Sequence, residues 1–184
     1  TYLGLPDDEP DDVAELVGFE AFDRCRDPAG GLGADNADAA ANFNREAAHR
    51  AEMPAASGVG TASDLARFYA CLANGGELDG TRILEAETVE EATSVQIAVE
   101  EDGTLGSPVR YGLGFFLAGT PFDNYGTLAP ASTFGHGGLG SLVAWADPDS
   151  DLAFAVITNG VRDPYEHRVR VNELGTAVRR AYGE

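Results

Sequence analysis

Residues 133–141 contain the residue pattern best suited to take part in a reaction, because one histidine, His136, lies there among four glycines. The glycines are Gly135, Gly137, Gly138 and Gly140. Since glycine has no Cβ, a ligand or another backbone segment can approach such a stretch closely. An imidazole at this place can donate or accept a hydrogen bond, or carry a proton near neutral pH. The alternative is a glycine-rich turn whose histidine is held by hydrogen bonds.

Two apolar runs follow this stretch and predict a β-hairpin. Residues 142–145 and 152–157 are apolar, and the segment between them, 147–151, is rich in Asp and contains a Pro. Apolar runs separated by Pro, Asp and Ser are typical of antiparallel strands joined by a turn. Residues 111–117 predict one further strand, whose glycines would let another backbone segment approach.

A helix is predicted directly after Thr61. Thr61 is a favourable N-cap, and Asp64 three residues later forms a pair with it that resembles a capping box. The apolar residues that follow at helical spacing share one face, which we expect to lie in the core. They are Leu65, Phe68, Tyr69 and Leu72. Gly75 and Gly76 end the helix.

Two more helices are predicted, one over residues 83–93 and one from about residue 165 to residue 182. The apolar face of the second consists of Val171, Leu174 and Val178. Arg179 and Arg180 fall in its last turn, where positive charge is favoured by the helix dipole. Residues 13–17 follow an acidic, proline-containing run and predict a short helix. Long loops are predicted at three places, 23–44, 100–108 and 119–132.

The length of 184 residues and the hydrophobic content of 43% fit one globular domain with a sizeable core. Helices come first, then a small antiparallel sheet, then a packing helix, which is an α+β pattern. We expect a single domain over residues 1–184. Its helical and loop part extends to about residue 108, and its sheet and C-terminal helix begin at about residue 109.

The charge balance is strongly acidic, with a formal net charge of −19 from 31 acidic and 12 basic residues. The sequence contains no lysine. A nucleic-acid partner is not expected, because binding one requires a basic stripe. The acidic residues are spread along the chain, which favours adaptation to a salt-rich cytoplasm over a dedicated site for basic partners.

No run of about 18 apolar residues and no signal-peptide pattern occurs, so we expect no membrane span and a cytoplasmic location. The chain opens at Thr1 without an initiator Met, which suggests a fragment or a processed product. Cys71 is expected to be a small buried residue, and a bridge to Cys25 is left open. No spacing of Cys and His resembles a zinc site, and His49 and His167 are expected at the surface.

Several segments, taken in order, resemble the serine hydrolases of the class C β-lactamase type, which include penicillin-binding-protein-like peptidases and β-lactamase-fold carboxylesterases. The segments are 58–69, 74–84, 111–115, 134–138 and 146–148, ending at Thr158-Asn159. The carboxylesterase branch is the most similar. The resemblance implies a β-lactamase-like fold and no metal or organic cofactor.

The resemblance also implies roles for five residues. His136, Gly137 and Gly138 match the third family motif, which is Lys-Thr-Gly in the lactamases and often His-x-Gly in the esterases. His136 would face the cleft and assist proton transfer, while Gly137 and Gly138 would let substrate lie against the strand. The amide of Leu139 would donate into the oxyanion hole. Asn159 would line the substrate pocket, the alternative being an Asn that begins a turn before Gly160.

The sequence departs from the family at the nucleophile. A Ser-x-x-Lys motif cannot occur in a chain without lysine, and Tyr2 and Tyr125 are not followed two residues later by the Asn of the family's Tyr-x-Asn motif. The chain therefore resembles the C-terminal half alone. We expect an exposed sheet edge, and a chain that is stably folded only when this edge is rearranged or is paired with the missing N-terminal half or a second copy of the chain.

The function predicted from the sequence is that of part of a serine hydrolase acting on small carboxylic acid derivatives, with esters favoured over β-lactams or peptides as substrates. Catalysis would pass through an acyl-enzyme, and this chain would supply the pocket wall and the oxyanion strand. One alternative is a catalytically inactive binding or assembly module of the same fold. Another is an unrelated acidic α+β domain whose Gly-His-Gly-Gly stretch arose by chance.

The acidic composition generates a prediction about salt. Because repulsion among the surface carboxylates is screened by ions, we expect the thermal midpoint of unfolding to be higher in molar KCl than in dilute buffer. The measurement is a circular-dichroism melt at both salt concentrations. An equal or lower midpoint in KCl would contradict the adaptation to salt.

Overall fold

The computed structural model describes residues 1–9, 12–18, 36–103, 105–121 and 123–182. Its helices are α1 (Asn36–Phe43), α2 (Glu46–Arg50), α3 (Ala62–Ala73), α4 (Ala86–Thr93) and α5 (Pro164–Tyr182). The short strands before residue 90 are β1 (Tyr2–Leu3), β2 (Val17–Gly18), β3 (Gly58–Val59), β4 (Glu77–Leu78) and β5 (Thr81–Arg82). The later strands are β6 (Ile97–Val99), β7 (Val109–Tyr111), β8 (Phe116–Leu117), β9 (Phe134–Gly137), β10 (Leu142–Asp147), β11 (Leu152–Ile157) and β12 (Gly160–Val161).

The centre of the described structure is a six-stranded antiparallel sheet in the order β11-β10-β9-β8-β7-β6. The sheet begins at Ile97, earlier than the start near residue 109 that the sequence predicted. The hairpin of β10 and β11 is confirmed, with Leu142 opposite Ile157 and Asp147 opposite Leu152. A short 3-10 helix at Pro148–Ser150 makes the predicted turn.

Strand β10 separates two hydrophobic cores, because alternate side chains of a strand point to opposite faces. Ala144 and Ala146 join the core on the α3 side, together with Tyr69 and Leu72. On the α5 side, Val143 and Trp145 pack with Val171, Leu152, Ala118 and Tyr125. Five of the six β10 residues are buried, so β10 is the strand that both cores share.

Helix α3 begins as the sequence predicts. The Thr61 hydroxyl accepts a hydrogen bond from the Asp64 N–H at 3.1 Å, and Gly75 and Gly76 end the helix at positive φ. Tyr69 and Leu72 are buried and Leu65 is partly buried, as predicted, whereas Phe68 is 43% exposed. The prediction of Phe68 in the core was wrong, because its ring lies beside Tyr69, edge-on at 5.7 Å between centroids.

Helix α5 buries a stripe at four-residue spacing that the apolar pattern did not reveal. The stripe consists of His167, Val171, Gly175 and Arg179. Val178 packs against the α5-side core as expected, but Leu174 is 39% exposed. His167 is buried, contrary to the surface position expected for it. Polar residues can take these positions because each finds a hydrogen-bond partner on the sheet or in a loop.

Arg179 anchors α5 to the sheet and to the loop before β9. Its guanidinium pairs with the fully buried carboxylate of Asp147 and donates to the Tyr125 carbonyl at 3.2 Å and to Thr133 Oγ1 at 3.1 Å. It also lies over the Trp145 ring, 4.1 Å from the centroid. The expected interaction with the helix dipole is therefore replaced at Arg179 by a buried ion pair, while Arg180 is exposed.

Several other local predictions were wrong. The predicted helix over residues 13–17 is absent, because Val17–Gly18 pairs in parallel with Gly160–Val161. The predicted loop 23–44 contains α1 within its described part. The single strand predicted over residues 111–117 is instead β7 and β8, which turn back on each other at residues 112–115, where Gly114 has a φ of 82°.

Two remaining expectations concern cysteine and the membrane. Cys71 is a free, buried thiol, as expected, whereas Cys25 lies outside the described residues. Among the helices in the described ranges, none combines the length and the hydropathy that crossing a bilayer requires.

The buried ion pair generates a stability prediction. Arg179→Met leaves the Asp147 carboxylate buried without its counter-charge, so we expect the free energy of unfolding to fall by about 3–5 kcal/mol. Arg180→Met, at the exposed neighbouring position, should change it by less than about 0.5 kcal/mol. Urea unfolding followed by circular dichroism measures both variants.

A second variant separates the effect of the unpaired charge from that of the changed side-chain shape. Asp147→Leu combined with Arg179→Met removes both charges, and we expect it to recover most of the stability that Arg179→Met loses. Equal losses in the single and the double variant would show that the charge pair is not the cause.

Candidate functional site

Strand β9 is paired unequally on its two sides. It pairs with β10 along its whole length, from Phe134 opposite Ala146 to Gly137 opposite Val143. It pairs with β8 at two residues, Phe134 and Gly135. In the described sheet, the backbone groups of His136 are directed to β10, whereas those of Gly137 are directed to the side where β8 has already ended. An extended ligand can bind such an open strand edge through main-chain hydrogen bonds.

The His136 ring is exposed at this open edge. Its Nδ1 lies 2.6 Å from the Gly137 carbonyl oxygen, and its centroid lies 4.8 Å from that of Phe116. Because a carbonyl oxygen can only accept, Nδ1 is the donor, and in the neutral ring Nε2 then has a lone pair. His136 can therefore accept a hydrogen bond or a proton through Nε2. No serine hydroxyl or carboxylate of the described residues is hydrogen-bonded to this ring.

The glycines of the stretch differ in what surrounds them. A Cβ on Gly135 would overlap the Ala144 carbonyl oxygen and lie 2.7 Å from Trp145 Cβ, so packing of the sheet requires glycine there. A Cβ on Gly137 would meet nothing closer than 3.6 Å, which leaves that side of the strand open. One on Gly138 would lie 2.8 Å from Leu142 Cγ. The open approach that the sequence predicted is thus clearest at Gly137.

Leu139 lies in the turn between β9 and β10 and not on the strand itself. The Gly138 N–H donates to the Leu142 carbonyl at 3.0 Å and closes this turn, in which Gly140 has a φ of 60°. Among the described residues the Leu139 N–H has no hydrogen-bond acceptor. A backbone N–H of this kind can donate to an incoming oxyanion.

Asn159 has a clear structural partner in the described chain. Its Nδ2 donates to the Glu15 carbonyl at 3.1 Å, and its own carbonyl accepts from the Val17 N–H at 2.7 Å. These bonds tie residues 12–18 to the end of β11. The contact of Asn159 with substrate stays a prediction.

Two buried tyrosines lie close to the open strand edge, but neither is suited to act as a base. Burial raises the pKa of the Tyr69 hydroxyl, and burial also raises the pKa of Tyr125 well above its ordinary value. Both hydroxyls therefore keep their protons at neutral pH, and that of Tyr125 donates to the Phe116 carbonyl at 3.1 Å. Within the described ranges, no group of three His, Cys, Asp or Glu side chains is arranged to hold a metal ion.

Two residues near the site were missed by the sequence reasoning. His167 and Arg170 of α5 reach the turn between β9 and β10, where they are hydrogen-bonded to the Leu142 and Gly140 carbonyls. The four-residue spacing of His167 and Val171 along a helix was the available signal. It was not sufficient, because a polar residue on a helix is ordinarily exposed.

The arrangement is an antiparallel sheet between helices whose glycine-rich strand is open on one side, as the sequence resemblance implied. The family model described as Beta-lactamase matches residues 1–177, so the chain belongs to the beta-lactamase family. It is 43% identical over 114 residues to a Mycobacterium tuberculosis protein named esterase/beta-lactamase LipL, covering 62% of this chain and 25% of that protein.

Solved structures confirm the predicted fold class. A penicillin-binding protein homologue from Caulobacter crescentus has a TM-score of 0.70 at 30% identity, covering 96% of this chain and 47% of that one. A family VIII carboxylesterase has a TM-score of 0.69 at 28% identity, covering 95% of this chain and 46% of that one. The chain thus spans about half the length of these structures and a quarter of the mycobacterial relative.

The contrast between two glycines generates a prediction. Gly135→Ala forces a Cβ into the Ala144 carbonyl, so we expect it to lower the free energy of unfolding by about 1–3 kcal/mol. Gly137→Ala adds the same methyl group to open space and should change it by less than about 1 kcal/mol. Urea unfolding of the two variants measures the difference, and equal effects would contradict the packing described for β9.

Proposed function

We propose that this chain supplies the pocket wall and the oxyanion strand of a serine hydrolase that cleaves esters of small carboxylic acids. The observation that carries the proposal is the one-sided pairing of β9 at His136 and Gly137, next to a turn whose Leu139 N–H has no acceptor among the described residues. The ester acyl group would lie along this edge, with its carbonyl oxygen directed to the Leu139 N–H.

The chemistry follows from that placement. A serine hydroxyl attacks the ester carbonyl, and the Leu139 N–H stabilises the negative charge that develops on the carbonyl oxygen. Collapse of the tetrahedral intermediate expels the alcohol and leaves an acyl-serine, which water then hydrolyses to the acid and the free serine. His136 Nε2, with its lone pair, would accept a hydrogen bond or a proton from the reacting groups.

An ester is proposed over a β-lactam because His136 occupies the position at which the lactamases carry lysine. The name of one relative, a family VIII carboxylesterase, supports this choice, whereas the name esterase/beta-lactamase covers both reactions. An amide or peptide substrate is the weaker proposal.

The nucleophile is proposed to come from outside these 184 residues. A catalytic Ser-x-x-Lys motif needs a lysine, and the chain has none. Ser57 is buried, and its hydroxyl lies within hydrogen-bond distance of the Ala51 and Met53 carbonyls, so it is committed to a local turn. The proposed partner is an N-terminal half of the same fold or a second copy of the chain.

The free edge of β11 supports this partner. The Thr158 N–H donates to the Ser141 carbonyl, and hydrogen-bonded pairs alternate along an antiparallel ladder. Ala153, Ala155 and Ile157 therefore direct their backbone groups away from β10. In the described sheet β11 has no second neighbour, and its residues 152–157 include no charge and no proline. Such an edge is suited to pairing with another strand.

A catalytically inactive binding or assembly module is the second candidate, and the absence of lysine favours it. The first experiment therefore measures p-nitrophenyl butyrate hydrolysis and fluorophosphonate labelling by intact mass, for this chain and for the complete product of its gene. We expect neither from this chain alone, and both from a gene product that carries a Ser-x-x-Lys motif. A labelled serine within residues 1–184 would contradict the proposed placement, and no turnover in either sample would favour the inactive module.

The roles of His136 and Gly137 are tested in the active form. We expect His136→Ala to lower kcat/KM by about 10²-fold, because proton transfer loses its acceptor. Gly137→Ala should raise KM, since its methyl group fills the space proposed for the acyl group. Gly103→Ala is the matched control, because a Cβ there meets no atom within 4 Å. Unchanged kinetics in the first two variants would overturn the assignment.

A further inference from the structure

The turn between β9 and β10, residues 138–142, is held by hydrogen bonds to three successive carbonyl oxygens, those of Gly140, Ser141 and Leu142. The Gly140 carbonyl accepts from the Arg162 N–H at 2.9 Å and from Arg170 Nη2 at 3.0 Å. The Ser141 carbonyl accepts from both the N–H and the hydroxyl of Thr158 at 2.9 Å. The turn that carries Leu139 therefore depends on α5 and on the chain after β11 for its position.

Arg170 of α5 contacts this turn directly. Its Nη2 lies 3.0 Å from the Gly140 carbonyl oxygen, 3.3 Å from Thr158 Oγ1 and 3.0 Å from His167 Nδ1. A guanidinium can only donate hydrogen bonds. His167 Nδ1 must therefore be the acceptor, which means that it carries no hydrogen.

The other nitrogen of His167 completes the assignment. Nε2 lies 3.1 Å from the Leu142 carbonyl oxygen, the same oxygen that accepts from Gly138 to close the turn. Since a carbonyl can only accept, Nε2 carries the hydrogen. His167 is therefore neutral, in one tautomer, and bridges Arg170 to the closing bond of the turn.

The surroundings of His167 oppose its protonation. Burial and the neighbouring Arg170 lower the pKa of His167 below its ordinary value of 6.5. Burial, and after it the nearby charge of Arg162, lower the pKa of the Arg170 guanidinium as well, and Glu166 opposes this shift. The acidic groups on this side are Glu166, 3.8 Å from Arg162, and Asp163, which caps α5 by accepting from the Tyr165 N–H at 2.9 Å. Neither carboxylate is hydrogen-bonded to His167 Nδ1, whose partner is Arg170.

We propose that neutral His167 and Arg170 are positioning residues for the turn between β9 and β10, and that protonation of His167 releases this turn. A proton on Nδ1 would place two donors and two positive charges against each other, so Arg170 must move away and withdraw from the Gly140 carbonyl. The Leu139 N–H, which the same turn carries, then loses its fixed place. The consequence for catalysis rests on the proposed function, whereas the behaviour of the turn does not.

The direction of the pH effect follows from linkage. The unfolded chain binds the His167 proton more readily than the folded chain, so stability is fully present above about pH 6.5 and is lost as the pH falls towards the lowered pKa. The turn should open over the same range, because its hydrogen bonds depend on the neutral ring.

The test compares the wild-type protein with His167→Gln and His167→Phe. The Gln side chain can accept from Arg170 and donate to Leu142 but does not titrate, whereas Phe removes both bonds. Hydrogen exchange at the three amides that donate to carbonyls of the turn, those of Gly138, Thr158 and Arg162, is corrected for intrinsic rates and followed by NMR from pH 7.5 to 5. We expect acid to raise wild-type exchange by about tenfold or more, His167→Gln to remove this dependence, and His167→Phe to give fast exchange throughout.

Two further readouts make the inference independent of folding defects and of the esterase proposal. The imidazole ¹⁵N shifts of wild-type His167 should show hydrogen on Nε2 and none on Nδ1, and His49→Gln is the control that leaves the exchange profile unchanged. In the active form, acid should lower kcat more than it changes KM, and His167→Gln should suppress that part of the profile. Hydrogen on Nδ1, or an acid-dependent turn in His167→Gln, would overturn the inference. Acid-dependent exchange without ester turnover would support the turn and count against the proposed function alone.

Discussion

The buried pair of Arg179 and Asp147 is the interaction on which the rest of the structure depends. It joins the last turns of α5 to the end of β10, and the same guanidinium reaches the loop before β9 through Tyr125 and Thr133. A charge can be buried there because each partner compensates the other and Trp145 covers the guanidinium. Val171 and His167 also hold α5 against the sheet, and Arg179 fixes its last turns there.

The candidate site follows from that anchor through strand β10. Strand β10 pairs with β9 along the whole of β9. The shorter β8 pairs with Phe134 and Gly135, so His136 and Gly137 have no partner residue in β8. The same helix α5 that Arg179 fixes also presents His167 and Arg170 to the turn beyond Gly137. The open strand edge and the turn beside it are thus positioned by one helix and one buried strand.

The functional interpretation of this geometry rests on two facts. The chain belongs to the beta-lactamase family, and it spans about half the length of the related structures. A strand edge and an oxyanion donor can bind and stabilise an acyl group but cannot attack it. The chemistry proposed for the chain therefore requires a nucleophile, which we propose comes from outside it, and the edge of β11 that is unpaired in the described sheet is suited to pairing with a further strand. Binding and assembly are coupled in this view, because one sheet serves both.

The sequence by itself determined the α+β class, the cap of α3 at Thr61 and the β10–β11 hairpin. These depend on neighbours within a few residues, where hydrogen-bonding and spacing rules are local. Tertiary structure decided which side of α5 is buried, that His167 and Arg179 lie inside, and that residues 111–117 fold back as two strands. Burial of a polar side chain depends on partners 25 to 54 residues away, such as Leu142 and Tyr125. No local pattern in the sequence records whether those partners are present, and the folded chain alone brings them together.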